Sequence, residues 1–141
     1  MRYAYPYVVQ PEPEGGFFIS FTDVPEALTG ADAKAAVPGM AQDALVAALS
    51  FYTDTGRPLP APSPGFPVAE VPVLVALKLA LHDAMLAGGV SNVALAKRLD
   101  TDEKSVRRMR DPTQGTRVDG LEAALRALGR RAEVSVLEAA E

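Results

Sequence analysis

A short basic segment carries the residues of this chain whose types and spacing best suit contact with a nucleic acid. Residues 91–117 hold seven lysines and arginines against four carboxylates, whereas the whole chain has a net charge of −4. Arginine and lysine can donate hydrogen bonds to guanine O6 and N7 in the major groove, or hold phosphates. We predict two short helices around a tight turn, with the second, over residues 102–110, offered to DNA.

The residues expected to contact DNA are polar and lie on the exposed arcs of these helices or just after them. Val106 and Met109 should face the core, which leaves the rest of the second helix turned outward. The start of the first helix can offer backbone N–H groups to a phosphate. The predicted contacts are Ser91, Asn92, Lys104, Ser105, Arg107, Arg108 and Arg117. The alternative is a solvated helix of a small helical domain, because the carboxylates of Asp102 and Glu103 oppose a phosphate backbone.

The first half of the chain has the opposite charge. Residues 1–64 hold three basic side chains against seven carboxylates. Such a surface repels nucleic acid and attracts a basic protein, so we predict a protein partner here. A magnesium-dependent nuclease would need carboxylates that converge on the ion, and no spacing in this half brings two of them together. Residual nuclease activity is the weaker alternative, testable on RNA–DNA hybrids.

The chain offers little material for catalysis or for a cofactor. It has no cysteine and a single histidine, which excludes disulfides and thiolate metal sites. His82 is expected to lie at the protein surface or at the boundary between surface and core. We therefore predict no catalytic residue, no metal site and no cofactor. The longest apolar run, residues 73–81, is shorter than the ~20 residues of a membrane span, and no signal-peptide pattern opens the chain, so we expect a cytoplasmic protein without a membrane partner.

A proline-rich segment divides the chain. Residues 57–67 hold five prolines, a density that neither a helix nor a central strand tolerates. The charge balance changes sign at the same place. We predict an α+β protein with one domain over residues 1–64, a linker or short strand over residues 65–72, and a small helical domain with a C-terminal strand over residues 73–141.

Alternation and helical spacing predict the elements on each side of this segment. Strands over residues 3–9 and 17–21 should form a hairpin, and Pro6 favours an edge strand or a bulge in the first of them. Asp32 should cap a helix that Pro38 and Gly39 kink or restart. The other expected boundaries are a strand over residues 68–71, helices opened by Pro72, Ser91, Asp102 and Asp119, helix ends at Gly56, Gly89, Asp111 and Gly129, and a final strand over residues 132–137.

In this order, the motifs resemble the HicB family of type II antitoxins. The matching pieces are the opening strand of residues 3–9, the Gly-Gly-aromatic turn and second strand within residues 14–25, the helix start at residues 29–32, and the Pro-Ser-Pro segment of residues 62–64. Residues 75–131 are similar to the family branch with a helix-turn-helix. The sequence departs from the family pattern at Thr22, Glu26 and Ala31, and at Pro38 and Gly39, where the family's first helix is uninterrupted.

The resemblance implies a partial, catalytically empty domain like ribonuclease H that neutralises a small, basic, mRNA-cleaving toxin of the HicA type. It also implies a helix-turn-helix domain that binds operator DNA and represses the shared operon. The residues expected at the toxin are acidic or aromatic: Glu12, Glu14, Phe17, Asp23 and Glu26. Two recognition helices must meet half-sites one helical turn apart, so we expect a homodimer, or a tetramer if dimers pair. The final strand is expected to pair across the two-fold axis.

The rival interpretation comes from another class of protein. It is a stand-alone helix-turn-helix transcriptional regulator whose N-terminal half senses a small molecule. The gene neighbourhood separates the two interpretations. A short adjacent reading frame that encodes a basic protein with a single active-site histidine would favour the antitoxin.

Overall fold

The structure is a computed structural model that describes residues 2–139, and its N-terminal part is built on a four-stranded antiparallel sheet. The strands are β1 (Ala4–Pro11), β2 (Phe17–Phe21), β3 (Leu28–Ala31) and β4 (Val68–Glu70), in the order β3-β2-β1-β4. Alternation sends Tyr5, Ile19 and Phe21 into the core, as expected of a half-buried hairpin. Gly15 and Gly16 make the turn between β1 and β2 with φ of +103° and +83°, a conformation that would strain a residue with a Cβ.

One helix covers the inner face of this sheet. A 3₁₀ turn, Lys34–Ala36, leads directly into α1 (Val37–Asp54). Ala41, Leu45 and Leu49 recur at helical spacing and are buried against the inward residues of the strands. The sheet and α1 together enclose the first hydrophobic core.

The ends of α1 agree with prediction in part. Pro38 lies in the first turn of α1, where its missing N–H costs no hydrogen bond. The α-helix starts there, directly after the 3₁₀ turn, as the predicted restart at Pro38 and Gly39 requires. Asp32 does not cap it, and that prediction is wrong. The 3₁₀ turn begins only after Ala33, and no side-chain hydrogen bond caps either the turn or α1. Gly56 follows the last turn of α1, as predicted.

The expectation of an edge strand or bulge at Pro6 is wrong, because β1 lies between two other strands. Residues 7–11 of β1 pair with β2, and residues 4–6 pair with β4. Pro6 stands opposite Val68, while the pairing with β2 begins only at Tyr7. Pro6 therefore has a neighbouring strand on one side only, so its missing N–H costs the sheet little.

Within the described residues, four helices follow the sheet. They are α2 (Val73–Gly88), α3 (Asn92–Arg98), α4 (Glu103–Arg110) and α5 (Val118–Ala127). Ser91 Oγ accepts a hydrogen bond from Ala94 N at 3.1 Å, and Asp102 Oδ1 accepts one from Ser105 N at 2.7 Å. The predicted capping of α3 and α4 by Ser91 and Asp102 is thus confirmed.

The other helix boundaries agree with prediction except at the start of α5. The confirmed positions are Pro72, Gly89, Asp111 and Gly129. Asp119 was expected to cap α5. The residue immediately before the helix is instead Arg117, which makes no side-chain capping bond. The Asp119 carboxylate instead accepts a hydrogen bond from the Arg117 guanidinium at 3.2 Å. Helix α5 begins at Val118, before Asp119, so this carboxylate lies inside the first turn and not at the capping position.

Helix α2 contributes to two hydrophobic cores. Val75 and Leu79 are buried with the sheet and α1 in the first core, and Leu81 and Met85 are buried with α3, α4 and α5 in the second core. β4 lies inside the segment predicted as a linker or short strand, and it pairs with β1. The elements around the first core and those around the second core form two packing units, and α2 runs through both without a break. The division into domains 1–64 and 73–141 stays a prediction.

The chain after α5 has no regular secondary structure over the described residues 130–139. The strand predicted over residues 132–137 is therefore absent, and that prediction is wrong for the single chain. A strand needs a hydrogen-bonded neighbour, and within residues 2–139 this segment has none. Val134, Val136 and Leu137 are exposed instead, Val136 at 94%.

The apolar sequence of α2 is explained by burial between the two cores. Leu79 and Leu81 are fully buried. No single helix among residues 2–139 has both the length and the apolar character of a membrane span. Helices α2 and α3 meet these criteria only when taken together, and a bend of 104° separates them.

Candidate nucleic-acid interface and acidic surface

Helix α4 presents basic side chains outward because its apolar side is anchored in the second core. Val106 is fully buried there, and Met109 packs partly buried against the same core. Lys104, Arg107 and Arg108 are exposed on the remaining surface of the helix. The structure thus exposes three of the four predicted DNA contacts that lie on this helix of eight residues.

The remaining predicted DNA contacts lie near the two ends of α4. Asn92 Nδ2 donates to Glu103 Oε1 at 3.3 Å, so the start of α3, with Ser91, lies beside the start of α4. Ser105 is half-buried at that same end of the helix. Arg117 is exposed on the loop beyond the other end, where it pairs with Asp119.

The two carboxylates that oppose DNA binding on charge grounds are both engaged within the protein. The backbone N–H of Ser105 holds the pKa of Asp102 below its usual range, because the ionised form accepts the capping hydrogen bond. Glu103 forms an ion pair with Arg107 one turn along α4, and that hydrogen bond lowers the pKa of Glu103. Arg107 is thus partly neutralised by its own helix, while Lys104 and Arg108 point outward beside it.

A buried lysine that the sequence analysis did not single out holds the other end of α4. Lys78 of α2 is fully buried. Its Nζ donates to Arg108 O at 2.8 Å, to Met109 O at 3.3 Å and to Thr116 Oγ1 at 2.5 Å. An ammonium has three hydrogens, so all its donors are used, and the cation sits at the carbonyl end of the helix dipole. Burial lowers the pKa of Lys78. The one signal in the sequence is a lysine inside its longest apolar run.

The expectation that His82 lies at a surface or boundary is wrong. Its side chain is fully buried, one turn after Lys78 on the same side of α2. Nε2 lies 2.8 Å from Arg57 O, and Nδ1 lies 2.6 Å from a terminal nitrogen of Arg110. Arg110 also donates to Asn92 Oδ1 at 2.7 Å. Burial lowers the pKa of His82, and the Arg110 charge adds to this effect.

The acidic residues predicted at a protein partner fall into two groups. Glu12 and Glu14 are exposed in the turn between β1 and β2, and Phe17 is half-buried at the start of β2. Asp23 is half-buried and Glu26 is exposed, but both carboxylates are held by other residues of the protein. The Asp23 carboxylate accepts from the backbone N and the hydroxyl of Ser63, each at 2.8 Å, and so holds the proline-rich segment.

Glu26 lies at the centre of a small polar cluster at the end of α1. It accepts a hydrogen bond from the Tyr52 hydroxyl at 2.7 Å, which lowers the pKa of Glu26. The Arg57 guanidinium lies 3.6 Å from the same carboxylate and 4.2 Å from the centre of the Tyr52 ring. These partners lie far apart in sequence, so no short motif could have indicated them.

No group of three histidine, aspartate or glutamate side chains among the described residues is arranged to hold a metal ion. A groove of about 940 Å³ lies between α2, the start of β1 and the segment after α5. Tyr3 and Asp83 line it and form a hydrogen bond of 2.6 Å. Burial, together with this bond, raises the pKa of Tyr3.

Comparison with known proteins covers both packing units. Residues 4–80 match a family described as the HicB-like antitoxin of bacterial toxin–antitoxin systems. The chain is 40% identical over 122 residues to antitoxin HicB 2 of Photorhabdus laumondii, across 86% of this chain and 88% of that one. It is 36% identical over 129 residues to antitoxin HicB of Escherichia coli K12, across 89% and 94% respectively. Since the family match takes in the sheet and α1, and these relatives extend over the helices as well, the chain belongs to the HicB-like antitoxin family.

Proposed function

We propose that this chain neutralises a small, basic, mRNA-cleaving toxin of the HicA type, and that it represses its own operon by binding operator DNA. Its relatives are antitoxins by name, and an antitoxin acts on a toxin. The observation that carries the proposal is the division of charge along the chain. Residues 1–64 are acidic and residues 91–117 are basic. Each part then suits a partner of the opposite charge.

The DNA-binding part of the proposal assigns α3 and α4 to a helix-turn-helix. In it, α4 is the recognition helix, with Lys104, Arg107 and Arg108 at base edges and phosphates. Ser91 and Asn92 lie at the start of α3, where backbone N–H groups can meet a phosphate. Two copies of α4 are needed for two half-sites, so the operator-binding species is a homodimer, or a tetramer of paired dimers.

The toxin-binding part assigns inhibition to the sheet and α1, as a partial, non-catalytic fold like ribonuclease H. Inhibition is stoichiometric and takes place in the cytoplasm, without a cofactor. The exposed Glu12 and Glu14 of the turn, next to Phe17, form the part of the acidic surface that is open to a basic partner. Asp23 and Glu26 are less free to meet a partner, because their carboxylates accept hydrogen bonds from Ser63 and Tyr52.

The test is co-expression of the chain with the product of the small gene beside its own, followed by a growth assay and co-purification. Rescued growth and an equimolar complex are expected. The matched control carries Arg107→Ala and Arg108→Ala. This variant should rescue growth equally but fail to repress a reporter driven by the DNA upstream of the operon. If the unaltered chain yields neither rescue nor a complex, the neutralising role is refuted.

The rival interpretation, a stand-alone regulator that senses a small molecule, gains some support from the groove of about 940 Å³ beside α2. That groove is lined by both packing units, so an occupant could alter their arrangement. Repression of the reporter without any rescue of growth would favour this interpretation. The residual nuclease hypothesis is tested by incubating the pure chain with RNA–DNA hybrids and Mg²⁺.

A further inference from the structure

His82 lies where the end of α1 meets the helices of the second core, and its two ring nitrogens face opposite kinds of partner. Nε2 is 2.8 Å from the carbonyl oxygen of Arg57, which can only accept a hydrogen bond. Nδ1 is 2.6 Å from the Arg110 guanidinium, which can only donate. Only a neutral imidazole with its hydrogen on Nε2 satisfies both partners.

The hydrogen bonds continue from Arg110 to the proposed DNA-binding face. Arg110 donates to Asn92 Oδ1 at 2.7 Å, and Asn92 Nδ2 donates to Glu103 Oε1 at 3.3 Å. Glu103 in turn pairs with Arg107. Two of the proposed DNA contacts, Asn92 and Arg107, are therefore connected to His82 by side-chain hydrogen bonds.

On the opposite side of His82, these hydrogen bonds are fixed to the N-terminal part of the chain through Arg57. The backbone N of Arg57 donates to Tyr52 O at 2.9 Å, at the end of α1. The Arg57 side chain is held over the Tyr52 ring and beside Glu26. The carbonyl that His82 meets is thus placed by the packing of α1 on the sheet, and not by the helices of the second core.

We propose that His82 is a positioning residue for operator binding, in addition to the DNA contacts themselves. Its neutral imidazole fixes Arg110, and through Asn92 and Glu103 it fixes the orientation of α4 relative to the end of α1. This inference rests on the proposed DNA-binding function. A buried histidine that only filled space would need neither a particular tautomer nor Arg110 as a partner, and two substitutions separate these possibilities.

The variants His82→Leu and His82→Gln differ in hydrogen bonding while both fill the site. Leucine removes both bonds and leaves the Arg110 nitrogen that faces His82 without an acceptor. Glutamine can donate to the Arg57 carbonyl and accept from Arg110. We expect His82→Leu to weaken binding to the upstream DNA about tenfold, and His82→Gln to recover most of that loss. Leu49→Val, in the first core, is the matched control. It should lower the melting temperature without changing DNA affinity.

The protonation of His82 can also be measured in the unaltered chain. His82 is the only histidine, so ¹⁵N-edited NMR of the full chain reports its imidazole without ambiguity. At neutral pH we expect a hydrogen on Nε2 and none on Nδ1. On acidification the ring gains a proton beside Arg110, with Asp83 the nearby carboxylate on α2. DNA affinity of the unaltered chain should then fall as His82 protonates, while that of His82→Gln should not follow this titration.

The outcomes distinguish this inference from the proposed function. If the unaltered chain does not bind the upstream DNA, the proposed repressor function fails, and the inference with it. If it binds, but His82→Leu binds as tightly, the inference alone is overturned. The same holds for a hydrogen on Nδ1 at neutral pH, or for a pH dependence that His82→Gln shares.

Discussion

At the scale of single residues, two buried polar side chains of α2 determine how α4 is held. Lys78 and His82 are one turn apart, and helical spacing indicates that they share a face. The sequence could not indicate that this face packs inward, because an isolated lysine or histidine is more often exposed. Their partners are backbone carbonyls, a hydroxyl and a guanidinium at least 25 residues away in sequence. Only tertiary packing brings those groups to α2.

Replacing Lys78 with Met tests the first of these side chains. Methionine fills a similar space but removes the donor to Met109 O and to Thr116 Oγ1, and leaves Arg108 O only its bond from the backbone N of Asp111. We expect a loss of about 3 kcal/mol in the free energy of unfolding, since each buried polar group left unpaired costs roughly 1–3 kcal/mol. Urea unfolding measures this change. The exposed Lys97→Met is the control, with an expected change within about 0.5 kcal/mol. Equal stability of the two variants would contradict the structural role of Lys78.

The single histidine gives the stability of the protein a defined pH dependence. Burial and the Arg110 charge hold the pKa of His82 below its ordinary value of 6.5. Below that pH the unfolded chain therefore binds more protons than the folded chain. Stability is therefore lost as the pH drops from about 6.5 towards the folded-state pKa, and is retained above it. Urea midpoints measured between about pH 7 and about pH 5 should fall further for the unaltered chain than for His82→Gln. Parallel decreases in both proteins would show that other groups are responsible.

At the scale of elements, helix caps could be predicted from the sequence where their bonds are local and the helix starts where the pattern indicates. Ser91 and Asp102 were identified as caps because the backbone N–H groups they bond lie three residues away. Asp32 and Asp119 have the same chemistry but do not cap. The helix after Asp32 begins later than predicted, and α5 begins before Asp119, which places that residue inside the first turn. Cap chemistry thus indicates where a helix can start, while packing decides at which residue it does.

The outward face of α4 makes a prediction about salt dependence. Arg107→Ala together with Arg108→Ala removes two charges without touching Val106, which anchors the helix. Operator affinity should fall, and the slope of log affinity against log salt should become shallower by about 2. The reason is that each lost phosphate contact leaves one more counterion on the DNA. Fluorescence anisotropy over a salt series measures both. The slope should be unchanged in Arg2→Ala, which lies in the N-terminal part of the chain. A double variant with the original slope would remove these arginines from the interface.

At the scale of the whole molecule, the segment after α5 links the single chain to its proposed assembly. The strand expected over residues 132–137 has no partner within the described chain, and Val134, Val136 and Leu137 are exposed. Pairing with the same segment of a second copy would supply both the missing hydrogen bonds and a cover for these side chains. We predict that a chain ending at Gly129 is monomeric by sedimentation equilibrium, with its helices intact by circular dichroism. A truncated chain that remained fully dimeric would place the dimer interface elsewhere.

The division of charge across the molecule also predicts how fast a basic toxin is captured. Glu12 and Glu14 are exposed at one end of the sheet, so they act on an approaching partner through solvent and not through a buried contact. Exposed charges of this kind change association rates more than dissociation rates, and salt screens them over about 10 Å at 0.1 M. Glu12→Gln with Glu14→Gln should therefore slow association with the toxin at low salt, and the difference should vanish at high salt. Stopped-flow mixing measures the rates. Glu122→Gln, which removes one carboxylate from α5, should have little effect. If the double variant associated as fast as the unaltered chain at every salt concentration, the toxin would approach another surface.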